Sequence, residues 1–180
     1  VFVSGEPGIG KTRLTWELVR RLDEGSRALL GRCAPDQLVP YQPFVEALEA
    51  LRAGSTPAEL SRHLRDLPCG ELTRLVPALV SDLPDRGGAL PGDPRAERHR
   101  LFTAVSTLLT RSARDVPTVL VLEDLHWADL PTLRMLRYAL RAPAEPGLLV
   151  IGTYRDTESA PEDPLSELLA DLGRDERAPT

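Results

Sequence analysis

The sequence is poor in lysine and aromatic residues, and it contains no long apolar run. Of its 22 basic residues only Lys11 is a lysine, and aromatic residues make up 4% of the chain. No apolar run approaches the roughly 18 residues that a membrane-spanning helix needs, so we expect no membrane contact. The net charge of -5 excludes a positive field over the whole chain that would attract nucleic acid.

Cysteine is also scarce, which limits the metal and redox sites that the chain could form. Cys33 and Cys69 are too far apart in the sequence to form a Cys-x-x-Cys metal or redox motif. We therefore expect reduced thiols in a cytoplasmic protein. The chain has 180 residues, of which 42% are hydrophobic and 27% charged, and this composition suits about one globular domain.

Strand-like apolar runs alternate along the chain with apolar residues at helical spacing. Strands are predicted at 1–3, 27–32, 118–122 and 148–151. Leu14, Leu18, Val19 and Leu22 recur at helical spacing, and further helices are predicted at 41–52, 95–114, 131–142 and 164–172. Short helices broken at prolines 68, 77 and 84 are predicted within 57–83, and an exposed loop at 85–94. The alternation predicts an α/β fold, in which a parallel sheet carries helices on both faces.

A glycine-rich segment joins the first predicted strand to the first predicted helix. It fits the pattern GxxxxGK[ST] and consists of Gly5, Glu6, Pro7, Gly8, Ile9, Gly10, Lys11 and Thr12. The glycines let the backbone turn its N–H groups toward phosphate oxygens, and the helix adds the positive end of its dipole. We expect Lys11 to reach the β- and γ-phosphates of a nucleotide and the Thr12 hydroxyl to bind Mg²⁺.

Two adjacent carboxylates, Glu123 and Asp124, follow the apolar strand 118–122. Without a cation they would repel each other, so their pairing predicts a site linked to Mg²⁺. One carboxylate would hold the ion and the other would orient or deprotonate an attacking water. We expect this strand to lie beside the first strand. By position, Glu123 is the metal-side group and Asp124 the base. Asp129 is predicted to cap the next helix.

A resemblance to a known family rests on five segments in this order: GEPGIGKT, PYQPFVEALEAL, ERHRLFTAV, VLVLEDLHWAD and LLVIGTYRD. Together they resemble the STAND branch of the AAA-type P-loop ATPases. More narrowly, the chain resembles the ATPase domain of large LuxR-type (MalT-like) bacterial transcriptional regulators, a domain that also accompanies some adenylate cyclases and protein kinases. The resemblance covers the chain from Val1 to about Leu172.

The resemblance implies further properties of the site. It implies ATP rather than GTP as the nucleotide, and Arg155 as an arginine that senses the γ-phosphate, with Thr153 as a helper. The first acid of such proteins is often aspartate, so the roles of Glu123 and Asp124 stay open. The chain would be an incomplete core over residues 1–180. The adenine-holding segment would precede it, and the lid and winged-helix regions would follow.

The expected function is a nucleotide switch with slow ATP hydrolysis inside a signalling or transcriptional regulator. Self-association when ATP is bound is implied by the resemblance, and DNA would be contacted only through other domains. One alternative is a non-hydrolysing module that holds ATP or ADP in a cyclase- or kinase-linked regulator. Another is a small-molecule kinase, but the sequence suggests neither an arginine-rich lid nor an acceptor pocket.

Overall fold

The computed structural model describes residues 1–36, 39–80, 92–141, 146–156 and 163–174. The described residues form one parallel sheet of four strands, β1 (Phe2–Val3), β2 (Arg27–Arg32), β3 (Thr118–Glu123) and β4 (Leu148–Thr153). Its helices are α1 (Lys11–Arg20), α2 (Gln42–Ala53), α3 (Pro57–Leu64), α4 (Cys69–Leu75), α5 (Pro77–Val80), α6 (Pro94–Asp115), α7 (Leu130–Arg141) and α8 (Pro164–Arg174). A 3₁₀ turn at Leu125–Trp127 separates β3 from α7. The predicted α/β class is confirmed.

The strands lie in the order β1-β4-β3-β2. The prediction that the acidic strand lies beside the first strand is therefore wrong, because β4 pairs with both β1 and β3. The chain leaves β1 and reaches β2 at the far side of the sheet, so α1 must cross over β4 and β3. Accordingly, α1 packs against β3. This crossing places the first turns of α1 near the carboxyl end of the acidic strand.

The central strand β3 is buried along its whole length. Because side chains alternate across a strand, Leu120 and Leu122 face the larger core, while Val119 and Val121 face α1. Such coverage on both faces explains why the strand reads as a continuous apolar run. It ends with Glu123, which is also buried.

The two faces of the sheet are covered unequally by the described helices. Buried residues of every helix from α2 to α8 belong to the larger core, whereas Val19 of α1 and Leu22, which follows that helix, pack on the smaller one. The other two apolar residues at helical spacing in α1, Leu14 and Leu18, are 59% and 39% exposed. Leu149 is exposed as well, and Leu148 and Val150 are half-buried, so within the predicted strand 148–151 only Ile151 is buried as expected.

Local capping chemistry sets several helix boundaries. Thr56 and Glu59 form a capping box at the start of α3. Pro94 belongs to α6 rather than to the predicted loop, because the Asp93 carboxylate accepts hydrogen bonds from the first N–H groups of that helix. The Asp129 carboxylate accepts from the Thr132 N–H at 2.8 Å, which confirms the predicted cap of α7.

Residues 81–91, which include Pro84 and most of the predicted loop, and residue 142 lie outside the described residues. Among the helices described, none combines the length and apolar character required to cross a membrane.

At Gly31 the backbone of β2 lies close to the start of α2. A Cβ at this position would lie 1.9 Å from the carbonyl oxygen of Pro43. We expect Gly31→Ala to lower the free energy of unfolding in urea by about 3 kcal/mol, because backbone must shift to admit the methyl group. Gly25→Ala is the matched control, since nothing lies within 4 Å of its Cβ position. Equal stability of the two variants would contradict this packing.

Candidate functional site

The glycine-rich loop has the backbone that its sequence predicts. Gly8 and Gly10 have φ angles of 80° and 104°, which L-residues with side chains rarely adopt. No atom lies within 4 Å of the Cβ position at either glycine. Glycine is therefore required here by backbone conformation, and the space beside the loop is open to a ligand.

The loop leads directly into the amino terminus of α1. Gly10 precedes the helix without a side-chain cap, and the first turn contains no acidic residue. The N–H groups at the start of a helix have no partner within the helix, so they are available to an anionic ligand. The Lys11 ammonium donates to the carbonyl oxygens of Gly5 at 2.6 Å and Glu6 at 3.0 Å. Thr12 is exposed in the same turn.

A buried contact joins α1 to the end of the acidic strand. Thr15 Oγ1 lies 3.2 Å from Glu123 Oε1 and 2.9 Å from the carbonyl oxygen of Thr12, and its one proton can be donated to either oxygen. Thr15 is 2% exposed and Glu123 is 7% exposed. The Glu123 carboxylate therefore contacts the residue that lies one helical turn after Thr12.

The Asp124 side chain points in a different direction from that of Glu123. Asp124 has a left-handed backbone conformation with φ of 57°, and its N–H donates to Thr153 Oγ1 at 3.1 Å. Its Oδ2 accepts from both Nε and Nη2 of Arg32, each at 3.1 Å. The predicted pair of carboxylates is thus divided, with Glu123 facing α1 and Asp124 facing the end of β2.

The partners of this pair, Thr15 and Arg32, were missed in the sequence. Thr15 lies one helical turn after Thr12, and Arg32 ends a predicted strand, so both positions were accessible to sequence reasoning in principle. The N–H of Arg32 donates to Glu46 Oε2 at 2.8 Å. Glu46 also accepts from the side chain of Gln42 at 3.0 Å. These contacts tie the end of β2 to the first turns of α2.

Cys33 directly follows β2 and lies close to three carboxylates. Burial raises the pKa of the Cys33 thiol to about 12, and the charges of Asp129, Asp124 and Glu46 add to the shift. The thiol therefore stays protonated at neutral pH and is a poor nucleophile. Cys33 and Cys69 are both free and buried, in agreement with the expected reduced thiols.

The end of β4 lies between the loop strand and the acidic strand. Thr153 pairs in register with Val3, and the Tyr154 N–H donates to the Val3 carbonyl at 3.1 Å. The Thr153 hydroxyl is buried and holds the backbone of Asp124. Arg155 follows at the same edge and is half-buried.

The residues around the loop suit a Mg²⁺ ion that is shared with a nucleotide. Within the described ranges, no group of three or more histidine, cysteine or acidic side chains could hold a metal ion alone. The Thr12 hydroxyl and the nearby Glu123 carboxylate are oxygen ligands, and Mg²⁺ usually keeps several positions for phosphate oxygens and water. The third predicted ligand, Asp124, is engaged by Arg32.

Comparison with known proteins places the chain in a family. The family described as AAA ATPase domain matches residues 1–151. The chain belongs to the AAA ATPase domain family. As a member of this P-loop NTPase family, the chain is a nucleotide-binding ATPase module.

A relative of this AAA ATPase domain is an uncharacterized protein of Rhizobium meliloti (strain 1021). The two are 29% identical over 170 residues, which cover 86% of this chain but only 16% of the relative. The chain thus spans less than a fifth of the relative's length. No solved structure matched the chain.

Proposed function

We propose that this AAA ATPase domain binds ATP with Mg²⁺ at residues 5–12 and hydrolyses it slowly, as the nucleotide switch of a larger regulator. The observation that carries the proposal is the contact between Thr15 and Glu123. It joins the helix after the phosphate loop to the acidic strand, although β4 separates β1 from β3. This contact supports the proposal that the phosphate-binding and metal-binding groups lie at one edge of the sheet.

The loop supplies the groups that would bind the phosphates. Backbone N–H groups at the start of α1 would donate to phosphate oxygens. The Lys11 ammonium would exchange its contacts with the carbonyls of Gly5 and Glu6 for the β- and γ-phosphates. Bound Mg²⁺ would neutralise charge on these phosphates. Thr12 would bind the ion directly, and Glu123 would reach it through water.

Hydrolysis would transfer the γ-phosphoryl group to a water molecule, which loses a proton to a carboxylate. Glu123 faces α1 and so suits the metal side, which leaves Asp124 as the candidate base. Asp124 would have to turn away from Arg32 to reach that water. Because general-base catalysis contributes about 10²–10⁴-fold, an engaged base would make turnover slow.

The end of β4 could transmit the presence of the γ-phosphate to the proposed base. Arg155 would contact the γ-phosphate, since a guanidinium forms strong, directed hydrogen bonds to phosphate. Thr153, two residues earlier, holds the backbone of Asp124. A displacement of Arg155 would therefore be passed through Thr153 to the proposed base, which couples sensing to catalysis.

The proposed setting is a multidomain cytoplasmic regulator of the LuxR type, of which this chain would be the incomplete ATPase core. The small share of the relative that the chain covers supports a larger protein. Other domains would contact DNA and recognise the signal. The lid and winged-helix regions would also lie outside this chain. Self-association with ATP bound is part of the proposal.

The Lys11 ammonium provides the first test of the phosphate site. We expect Lys11→Ala to weaken the binding of ATP·Mg²⁺ by about 100-fold, because charge-assisted hydrogen bonds contribute about 1.5–3 kcal/mol each. Isothermal titration calorimetry measures the affinity, and an unchanged melting temperature shows that the variant is folded. Arg20→Ala removes an exposed charge from the last turn of α1 and serves as the control. Unchanged ATP affinity in Lys11→Ala would rule out the assignment.

Asp124 provides a separate test of hydrolysis. We expect Asp124→Asn to reduce phosphate release by about 100-fold while ATP affinity changes little, because the amide cannot accept the proton of the attacking water. Phosphate release is measured with ATP and Mg²⁺ in excess. Asp23→Asn, which changes an exposed acid before β2, is the matched control.

The same measurement distinguishes a second candidate function, a module that holds ATP or ADP without turnover. The ion pair between Arg32 and Asp124 favours this alternative, since it engages the proposed base. If the wild type releases no phosphate above the background without protein, the binding module is correct. If wild type and Asp124→Asn release phosphate at the same measurable rate, the hydrolytic role of Asp124 is wrong.

A further inference from the structure

A second concave site lies between α6 and α7, whose buried residues belong to the core on the sheet face opposite α1. Its volume is about 630 Å³, which falls in the range of small-molecule sites. From α6 it is lined by hydroxyl side chains, namely Thr103, Ser106 and Thr107. The mechanism proposed above uses none of these residues.

The opposite wall of this groove is cationic. Arg134, Arg137 and Arg141 of α7 all line it. Asp171 of α8 pairs with Arg137, lies 3.8 Å from Arg141 and also accepts from Arg174 at 2.5 Å. Arg174, together with Arg137 and Arg141, keeps the pKa of Asp171 below its ordinary value, so this carboxylate stays charged at neutral pH.

One carboxylate therefore balances several guanidinium groups in a chain that is acidic as a whole. Arg134 is exposed and forms no ion pair within the part of the chain that the structure describes. Mutual repulsion among these cations would be relieved by an anion in the groove. Arginine suits that role, because its planar fork binds phosphate and carboxylate groups in a bidentate manner.

The aromatic part of the groove is held in place by defined contacts. Tyr138 Oη lies 2.8 Å from Thr103 Oγ1, which fixes the phenol against α6. The Tyr138 ring also contacts Phe102, with centroids 5.8 Å apart, and His99, with centroids 5.6 Å apart. A wall that is already ordered costs little entropy when a ligand binds.

We propose that the groove between α6 and α7 binds a small organic anion, in which a phosphate or carboxylate group is joined to a flat apolar group. The anionic group lies against Arg134 and Arg137, and the apolar group packs against Tyr138 and Phe102. The hydroxyls of Ser106 and Thr107 donate to the remaining polar atoms of the ligand, since the Thr103 hydroxyl already donates to the His99 carbonyl at 2.9 Å. The limited volume of the groove and its ordered rings favour a small molecule over an acidic peptide.

The test is a titration of the whole ¹⁵N-labelled chain with phenyl phosphate, followed by amide NMR shifts. The NMR readout distinguishes the groove from the phosphate loop, because the two sites report through different amides. We expect saturable shifts of amides in α6 and α7 when phenyl phosphate is added. Neutral benzyl alcohol should bind about tenfold more weakly than phenyl phosphate, or weaker still, since charge-assisted hydrogen bonds to arginine are lost. A titration with benzoate tests in the same way whether the groove binds a carboxylate group.

Matched variants locate the anion within the groove. Arg134→Ala should weaken the binding of phenyl phosphate by about tenfold. Arg52→Ala, at an exposed position at the end of α2, should leave this affinity unchanged. Arg134→Glu should abolish the shifts in α6 and α7 while the rest of the spectrum shows a folded chain. Shifts confined to residues 5–12, or equal affinities of Arg134→Ala and Arg52→Ala, would overturn the proposal. Tighter binding of hexaglutamate than of phenyl phosphate at the same amides would also overturn it.

Discussion

The path of α1 across the sheet is the constraint on which the candidate site depends. The loop strand β1 and the acidic strand β3 are not neighbours, so the hydrogen-bonded ladder of the sheet does not bring their ends together. Instead, α1 leaves the loop and packs over β3, where Thr15 meets Glu123. Since Thr15 follows Thr12 by one turn, a single helix sets the separation between the backbone that we propose to bind phosphate and the first carboxylate.

The second carboxylate is governed by contacts on both sides of β3. Thr153 of β4 fixes the left-handed turn at Asp124, and Arg32 of β2 pairs with its side chain. The position of Asp124 therefore depends on both neighbours of the central strand. This arrangement would give a physical basis for the slow turnover that we propose, because a change at either neighbouring strand end would alter the availability of the proposed base.

Sequence reasoning was most successful where structure is determined locally. The loop 5–12 follows from glycine backbone freedom and the position of Lys11, and the strand 27–32 was predicted with the bounds that the structure gives it. The caps of α6 and α7 depend on single side chains near the helix start. The family match supports the same core, although the roles of individual residues remain predictions.

The features that sequence reasoning missed are set by contacts between distant segments. Strand order depends on how helices pack on the two faces, and no local pattern places β4 between β1 and β3. The exposure of Leu14 and Leu18 could not be predicted either, because helical spacing gives a stripe without showing what covers it. Likewise, the pairing of Arg32 with Asp124 joins residues 92 positions apart.

Hydrogen–deuterium exchange of the whole chain, with and without ATP·Mg²⁺, tests most directly whether the loop and the acidic strand end form one site. The account predicts that ATP·Mg²⁺ slows amide exchange both in the segment from Gly5 to Thr15 and at the end of β3 from Leu122 to Asp124. Slower exchange in the loop alone, with the end of β3 unaffected by ATP·Mg²⁺, would contradict it.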